Sequence, residues 1–357
     1  MNEHKRLIKN TGIIAIGNIS TKLITFFLLP LYTSLLTTSE YGMQDYISSI
    51  TIFCVPFITL LMDEGMFRFL IDCKSEKEKK KVISISAIII IFGVIVFFII
   101  AIPILFLVKY KYAIYVVLYV ISSMFSTMTS ALLRGLGQIE RYAIYNFVLS
   151  IMSIILNIVF IAVLRMGIYG MLNASIISHL FITGIFLIKM KIWKYIQFDL
   201  FDKKQAMQMI KYSVPLIPNK ISWSIINLSD RILIMNVIGS EASGFYAISY
   251  KFPNLMDTIY GFFYQSWKES SARVLQEESS ENFYNTVYTY LKSFMFSVVI
   301  VMTAFMPVAF FVLIHQEFYQ AILYVPILLL STYFANISGF YGGIFTAYKD
   351  TKIMGTT

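Results

Sequence analysis

In the stretch NLSDRILIMNVIGSEASGFY, Asn227 to Tyr246, an aspartate and an arginine stand side by side shortly before the turn signal Gly239-Ser240. Asp230 and Arg231 are flanked by apolar residues, and neighbours on a helix point about 100° apart, so they cannot simply pair with each other. Each needs a partner on another helix or a water-filled cleft. Lys22, Arg68, Lys220 and Lys251 have the same character of cations set within apolar runs, while Asp257 and His179 are isolated titratable groups in such runs. Cations held at such depth suit a phosphate-bearing ligand. A carboxylate or imidazole there suits gating or coupling to a proton or sodium gradient.

The elements that position these residues follow from composition. The 357 residues are 58% hydrophobic and only 14% charged, with a mean hydropathy of +0.73, whereas soluble domains are about 45–50% apolar and about 25% charged. The chain reads as a polytopic membrane protein. Ten spans are expected, over residues 10–36, 42–66, 82–108, 112–133, 142–164, 168–190, 212–238, 244–266, 287–314 and 318–347. All read as helices, because a helix satisfies its own backbone in lipid and the alternating pattern of a membrane barrel is absent. The basic N-terminal residues precede a run too long for a signal peptide, so it is kept as the first span. Pro30, Pro215 and Pro218 mark breaks and candidate hinges.

Orientation follows from the basic residues. With the N-terminus in the cytoplasm, 21 of the 29 Lys and Arg fall on the inner side, three on the outer side and five at helix depth, a strong positive-inside asymmetry. The run KSEKEKKK is a solvated inner loop in contact with anionic head groups, and no nucleic-acid function attaches to it. Cys54 and Cys73 give neither a disulfide framework nor a metal site. No Gly-rich phosphate loop is present. The outward loops, such as TTSE, KYK and RMG, are too short to hold a catalytic domain, which argues against a polymerase or glycosyltransferase.

Sliding the chain by 202 residues pairs LIKNT with MIKYS, Ile19-Ser20 with Ile221-Ser222 and Gly42 with Gly244, and superposes the third spans. A duplication is expected: an N-terminal six-helix lobe over 1–200 and a second lobe over 201–357 showing four helices, as in a truncated chain. An even number of spans per copy makes the repeats parallel and pseudosymmetric around a central cavity. Under the same shift Lys22 falls on Ser224 and Asn18 on Lys220, so the leading helices of both copies direct cations to one region. Alternatives stay open for the rest. Arg68 can pair with Asp63 or Glu64, Lys220 can snorkel to the head groups, and His179 can be a structural histidine.

The runs IKNTGIIAIGNISTKLITFFLLPLYTSLLTTSEYG, LLMDEGMFRFL, LLRGLGQIERYA and SDRILIMNVIGSEASGFYAISYKF resemble the O-antigen (Wzx-type) polysaccharide flippases of the multidrug/oligosaccharidyl-lipid/polysaccharide exporter superfamily. The resemblance implies an all-α fold with two lobes around a cavity. It also implies movement of a polyprenyl-diphosphate-linked oligosaccharide, an O-antigen or capsule repeat unit, across the bacterial cytoplasmic membrane. The chain is then a non-enzyme without cofactor, working among membrane lipids and other polysaccharide assembly proteins. Lys22, Arg68, Lys220, Arg231 and Lys251 become candidate cavity cations, and Asp230, Asp257 and His179 candidate gating or coupling groups. A cation-coupled multidrug exporter of the same superfamily and a peptidoglycan-precursor flippase are the nearest alternatives.

Overall fold

The computed structural model describes Phe26, residues 28–274 and residues 280–347, and these form helices joined by short turns, with no strand among them. The helices are α1 (Leu29–Leu35), α2 (Thr38–Thr59), α3 (Met62–Asp72), α4 (Glu76–Val108), α5 (Ala113–Gly135), α6 (Ile139–Asn157), α7 (Gly167–Lys189) and α8 (Lys203–Ser213). They continue with α9 (Ile217–Leu233), α10 (Ser240–Ser249), α11 (Lys251–Val274), α12 (Ser280–Leu313) and α13 (Val325–Ala347). Wider π turns extend α6 to Val163 and α9 to Ile238.

Large apolar side chains cover the outside of these helices: Leu107 is 80% exposed and Phe311 78%. A surface of that kind is stable only where the surrounding solvent is hydrocarbon. Inside, hydroxyls such as Ser86, Thr51 and Thr59 return their protons to the carbonyl one turn back, so small polar residues pack between helices without stranding a donor.

Among the described residues six helices are long and apolar enough to cross a membrane, or seven if the bent pair α2–α3 counts as one span. Of the expected ten, two do not pass as single continuous spans and one lies outside the described residues. The span expected over 10–36 lies outside the described residues apart from Phe26 and its end at α1. The span expected over 212–238 is helical but broken: Val214–Leu216 forms a tight 3₁₀ turn at Pro215, and α9 restarts with Pro218 in its first turn. Such a place suits proline because the first-turn N–H has no helical partner. Lys220, Asp230 and Arg231 further dilute its apolarity. The span expected over 244–266 is divided between α10 and α11.

One break escapes the sequence pattern altogether. Leu60 and Leu61 adopt left-handed backbone, φ 51° and 49°, and turn α3 by 54° from α2. That conformation costs about 1–2 kcal/mol per non-glycine residue. It is held by packing: Gly93 of α4 presses its backbone against the Ile58 carbonyl, where any Cβ would collide. An apolar recess of about 510 Å³ lies beside the break, with Phe57, Leu60, Phe92, Gly93 and Val116 among its walls.

Helix packing divides the chain into two compact units, Met1–Ser243 and Gly244–Thr357. Helices α8 and α9 belong to the first unit because α8 packs on α3 and α9 packs along α2. In the first unit α3, α5 and α7 form the centre, with Met62, Met124, Leu132 and Leu172 in one continuous core. In the second, α11 packs along α13 around Trp267, whose ring stacks on Phe340 at 4.3 Å and whose Nε1 donates to the Phe340 carbonyl.

Candidate functional site

The site is built where α2 meets α9. Thr37 opens α2 with a reciprocal cap: its hydroxyl accepts from Glu40 N, and Glu40 Oε2 accepts from Thr37 N. Such a box satisfies two helix-end donors at once. The other carboxylate oxygen, Oε1, accepts from Ile168 N at 3.2 Å, so a single side chain caps both α2 and α7. Gly167 sits at φ 56°, and a Cβ there would strike the Glu40 carboxylate. With its first turn fixed in this way, α2 presents Asp45 to α9.

Arg231 is the partner. Its Nε donates to Asp45 Oδ2 at 2.6 Å, and the side chains are only 10% and 16% exposed. A pair of this kind is strongly held once formed, because removing either partner leaves a charge in a poorly solvated place, at a cost of about 3–5 kcal/mol. Asp230 points elsewhere and is exposed, as the angle between neighbouring helix positions requires.

Two further contacts tie the same corner. Ser39 Oγ and Ser240 Oγ share a hydrogen bond at 2.7 Å, and Ser243 Oγ donates to the Gly42 carbonyl at 3.4 Å. Both join residues 201 positions apart, close to the 202-residue shift of the internal repeat.

The other expected site residues are more scattered. Lys22 lies outside the described residues. Lys220 is exposed on α9, one turn before Ser224, whose hydroxyl donates to its carbonyl; Asp63 lies within its electrostatic reach. Arg68 does have an ion pair one turn away, with Asp72 at 2.6 Å rather than Asp63 or Glu64. That pair is 46% and 66% exposed at the end of α3, where such contacts contribute little. Lys251 opens α11 in the second unit and Asp257 lies further along it, both half-buried. His179 stacks on Tyr119 with ring centres 6.0 Å apart, and its buried Nδ1 has no hydrogen-bond partner. The structure therefore brings Arg231 together with Asp45 and leaves Arg68 at a surface. Among the described residues no cluster of His, Cys, Asp and Glu could hold a metal ion.

Sequence reasoning missed Asp45. A signal was available: Asp45 follows the Thr37-Thr38 turn by about the same number of residues as Arg231 precedes Gly239. Opposite charges at one depth on neighbouring helices are natural partners.

An all-α bundle with lipid-exposed walls is a multi-pass membrane protein in class, and solved structures share the fold. An inward-facing multidrug resistance MATE transporter of the MOP superfamily aligns with a TM-score of 0.72 at 17% identity, covering 94% of this chain and 86% of that one. An outward-facing MATE transporter gives 0.59 at 15%, covering 96% and 83%. A MOP superfamily transporter from Pyrococcus furiosus, described as having a binding pocket of reverse polarity, gives 0.56 at 15%, covering 96% and 81%. No curated protein sequence matches. The family model for polysaccharide biosynthesis proteins matches residues 7–267, and the chain belongs to that family.

Proposed function

We propose that this protein is a Wzx-type flippase, moving a polyprenyl-diphosphate-linked oligosaccharide from the inner to the outer leaflet of a bacterial cytoplasmic membrane by alternating access. Membership of the polysaccharide biosynthesis family over residues 7–267 is the observation that carries this reading. Physical chemistry supplies the requirement. A diphosphate and sugars cannot cross hydrocarbon bare, since each polar or charged group costs several kcal/mol there. Lys22, Lys220, Arg231 and Lys251 supply cations to a hydrated path, and the polyprenyl tail stays in lipid. The Asp45–Arg231 pair and the Ser39–Ser240 contact act as a closure at the outer end, made and broken in each cycle. Asp257 and His179 are the candidates for coupling to protons or sodium. The N-terminus is cytoplasmic, by the distribution of Lys and Arg. No bond is made or broken in the reaction, which needs no cofactor.

Deletion of the gene is expected to trap lipid-linked oligosaccharide in the inner leaflet. Lys22→Ala or Lys220→Ala should reduce surface polysaccharide at unchanged protein level, and normal export by both variants would overturn the cation assignments. The second reading, a multidrug exporter, draws on the fold shared with multidrug transporters. It expects the deletion strain to gain sensitivity to lipophilic cations while its polysaccharide is unaffected.

A further inference from the structure

Between α7 and α8 the chain crosses the end of the bundle where basic residues gather, and two ties hold this connection to α4. Ser84 Oγ accepts from Gln197 N at 2.9 Å and lies 3.1 Å from the Tyr195 carbonyl, and Lys81 Nζ donates to Asp202 Oδ2 at 2.6 Å. Ser84 stands near the start of the apolar run of α4, so the connection lies at the edge of the hydrocarbon. Left-handed backbone at Lys191, φ 51°, leads into a short 3₁₀ turn over Ile192–Lys194, and the side chains then part into two sets. Ile192 and Ile196 pack inward on the core of the first unit. Trp193 and Phe198 are 54% and 64% exposed, and Lys191 and Lys194 are exposed beside them.

Beneath Ile192 and Ile196 lies an apolar recess of about 370 Å³ between α4, α5 and α7, with Ile83, Ile90 and Leu187 also on its wall. No ionisable side chain lines it. Ile91, Ile95 and Phe125 on the same wall are exposed, so the recess opens sideways to lipid. Its surroundings are acyl chains, and a chain seated there gives the lining the contacts that a gap forfeits. On α4 the wall runs from Ile83 to Phe98, about 22 Å at the helical rise, short of the roughly 30 Å hydrocarbon core. An acyl chain ends within that length, and a long polyprenyl tail outruns it. The rim supplies the opposite chemistry. Residues 189–204 carry five lysines against two aspartates, and one of these, Asp202, is engaged by Lys81. Exposed aromatic side chains at the edge of the hydrocarbon suit head groups, and the lysines favour an anionic one. Ordinary anchoring in a bilayer accounts for the aromatic and basic residues but not for the recess that Ile192 and Ile196 roof.

We propose that this recess and the connection over it bind one anionic phospholipid of the leaflet that the basic residues face. An acyl chain lies against Ile192 and Ile196, and the head-group phosphate meets Lys191 and Lys194. Trp193 then stands at the level of the glycerol esters.

Native mass spectrometry of the purified, delipidated full chain tests this, with palmitoyl-oleoyl phosphatidylglycerol, phosphatidylcholine bearing the same chains, and undecaprenyl diphosphate as probes. Wild type should retain phosphatidylglycerol above the other two. The double variant Lys191→Gln/Lys194→Gln should weaken that retention by about tenfold and leave phosphatidylcholine unchanged. Ala87→Phe, which fills the recess, should weaken retention of both phospholipids. Equal retention of phosphatidylglycerol by wild type and both variants overturns the proposal. Loss in the lysine variant alone overturns the recess as the seat of the chain, and loss in Ala87→Phe alone overturns the lysines as the seat of the phosphate. Preferential retention of undecaprenyl diphosphate overturns the choice of a phospholipid. If Ala87→Phe does not fold, Ala87→Leu decides by the same comparison.

Discussion

At the scale of single residues, the contact between Asp45 and Arg231 concentrates the most energy in the fewest atoms. Arg231→Ala or Asp45→Ala should each lower stability by about 3–5 kcal/mol, because the surviving charge is left poorly solvated. The exchanged double variant, Asp45→Arg with Arg231→Asp, should recover part of that loss, and thermal unfolding in detergent measures the coupling. Full additivity of the two single losses would show that the residues do not interact. The Glu40 carboxylate makes a second residue-scale case. Glu40→Ala removes caps from α2 and α7 together and should cost about 1–2 kcal/mol. Gly167→Ala should be no milder, since it adds a Cβ at a left-handed position already filled by that carboxylate.

At the scale of elements, the bend between α2 and α3 depends on α4. Gly93→Leu must push α4 away from the Ile58 carbonyl, so it should destabilise the first unit, read as a lower unfolding temperature. Leu61→Gly should still lower stability, because relief of the left-handed backbone, about 1–2 kcal/mol, is outweighed by loss of a side chain only 4% exposed, which costs about 2–5 kcal/mol. A pH effect belongs to this scale as well. Lys81 Nζ donates to Asp202 Oδ2 at 2.6 Å, and Asp202 also caps α8. The lysine contact first, then the backbone N–H groups of Gln205 and Lys204, hold the Asp202 carboxyl below its ordinary range. A depressed carboxylate stabilises above its unfolded value of about 3.9 and loses that contribution as pH falls through the folded value. Protease nicking between Lys191 and Lys204 should therefore increase as pH drops below about 4, and Asp202→Asn should remove that dependence.

The same elements show what the sequence made legible. Long apolar runs such as Ile83–Val108 announced their helices because lipid demands about 20 apolar residues per crossing. The interruptions at Pro215 and Pro218 were readable because proline lacks an N–H. The turn at Leu60-Leu61 was not readable, since leucine has no preference for left-handed backbone and only the approach of Gly93 explains it. At the site, Arg231 was legible as a charge in need of a partner. Asp45 was not singled out, because it stands near the edge of its span and its role depends on a helix 186 residues away.

At the scale of the whole molecule, the proposed alternating access requires the corner joining α2 to Ser240 to open. Ser39 and Ser240 have their hydroxyls 2.7 Å apart, close enough for cysteines in their places to approach disulfide geometry. The double variant Ser39→Cys/Ser240→Cys, oxidised, should stop polysaccharide export, and a reductant should restore it. Undiminished export by the fully crosslinked protein would show that this corner stays shut throughout the cycle.

That corner also bears on the internal register of the sequence. Under the 202-residue shift Ser39 falls on Glu241 and Glu40 on Ala242, so the two serines that share the hydrogen bond occupy neighbouring rather than equivalent positions.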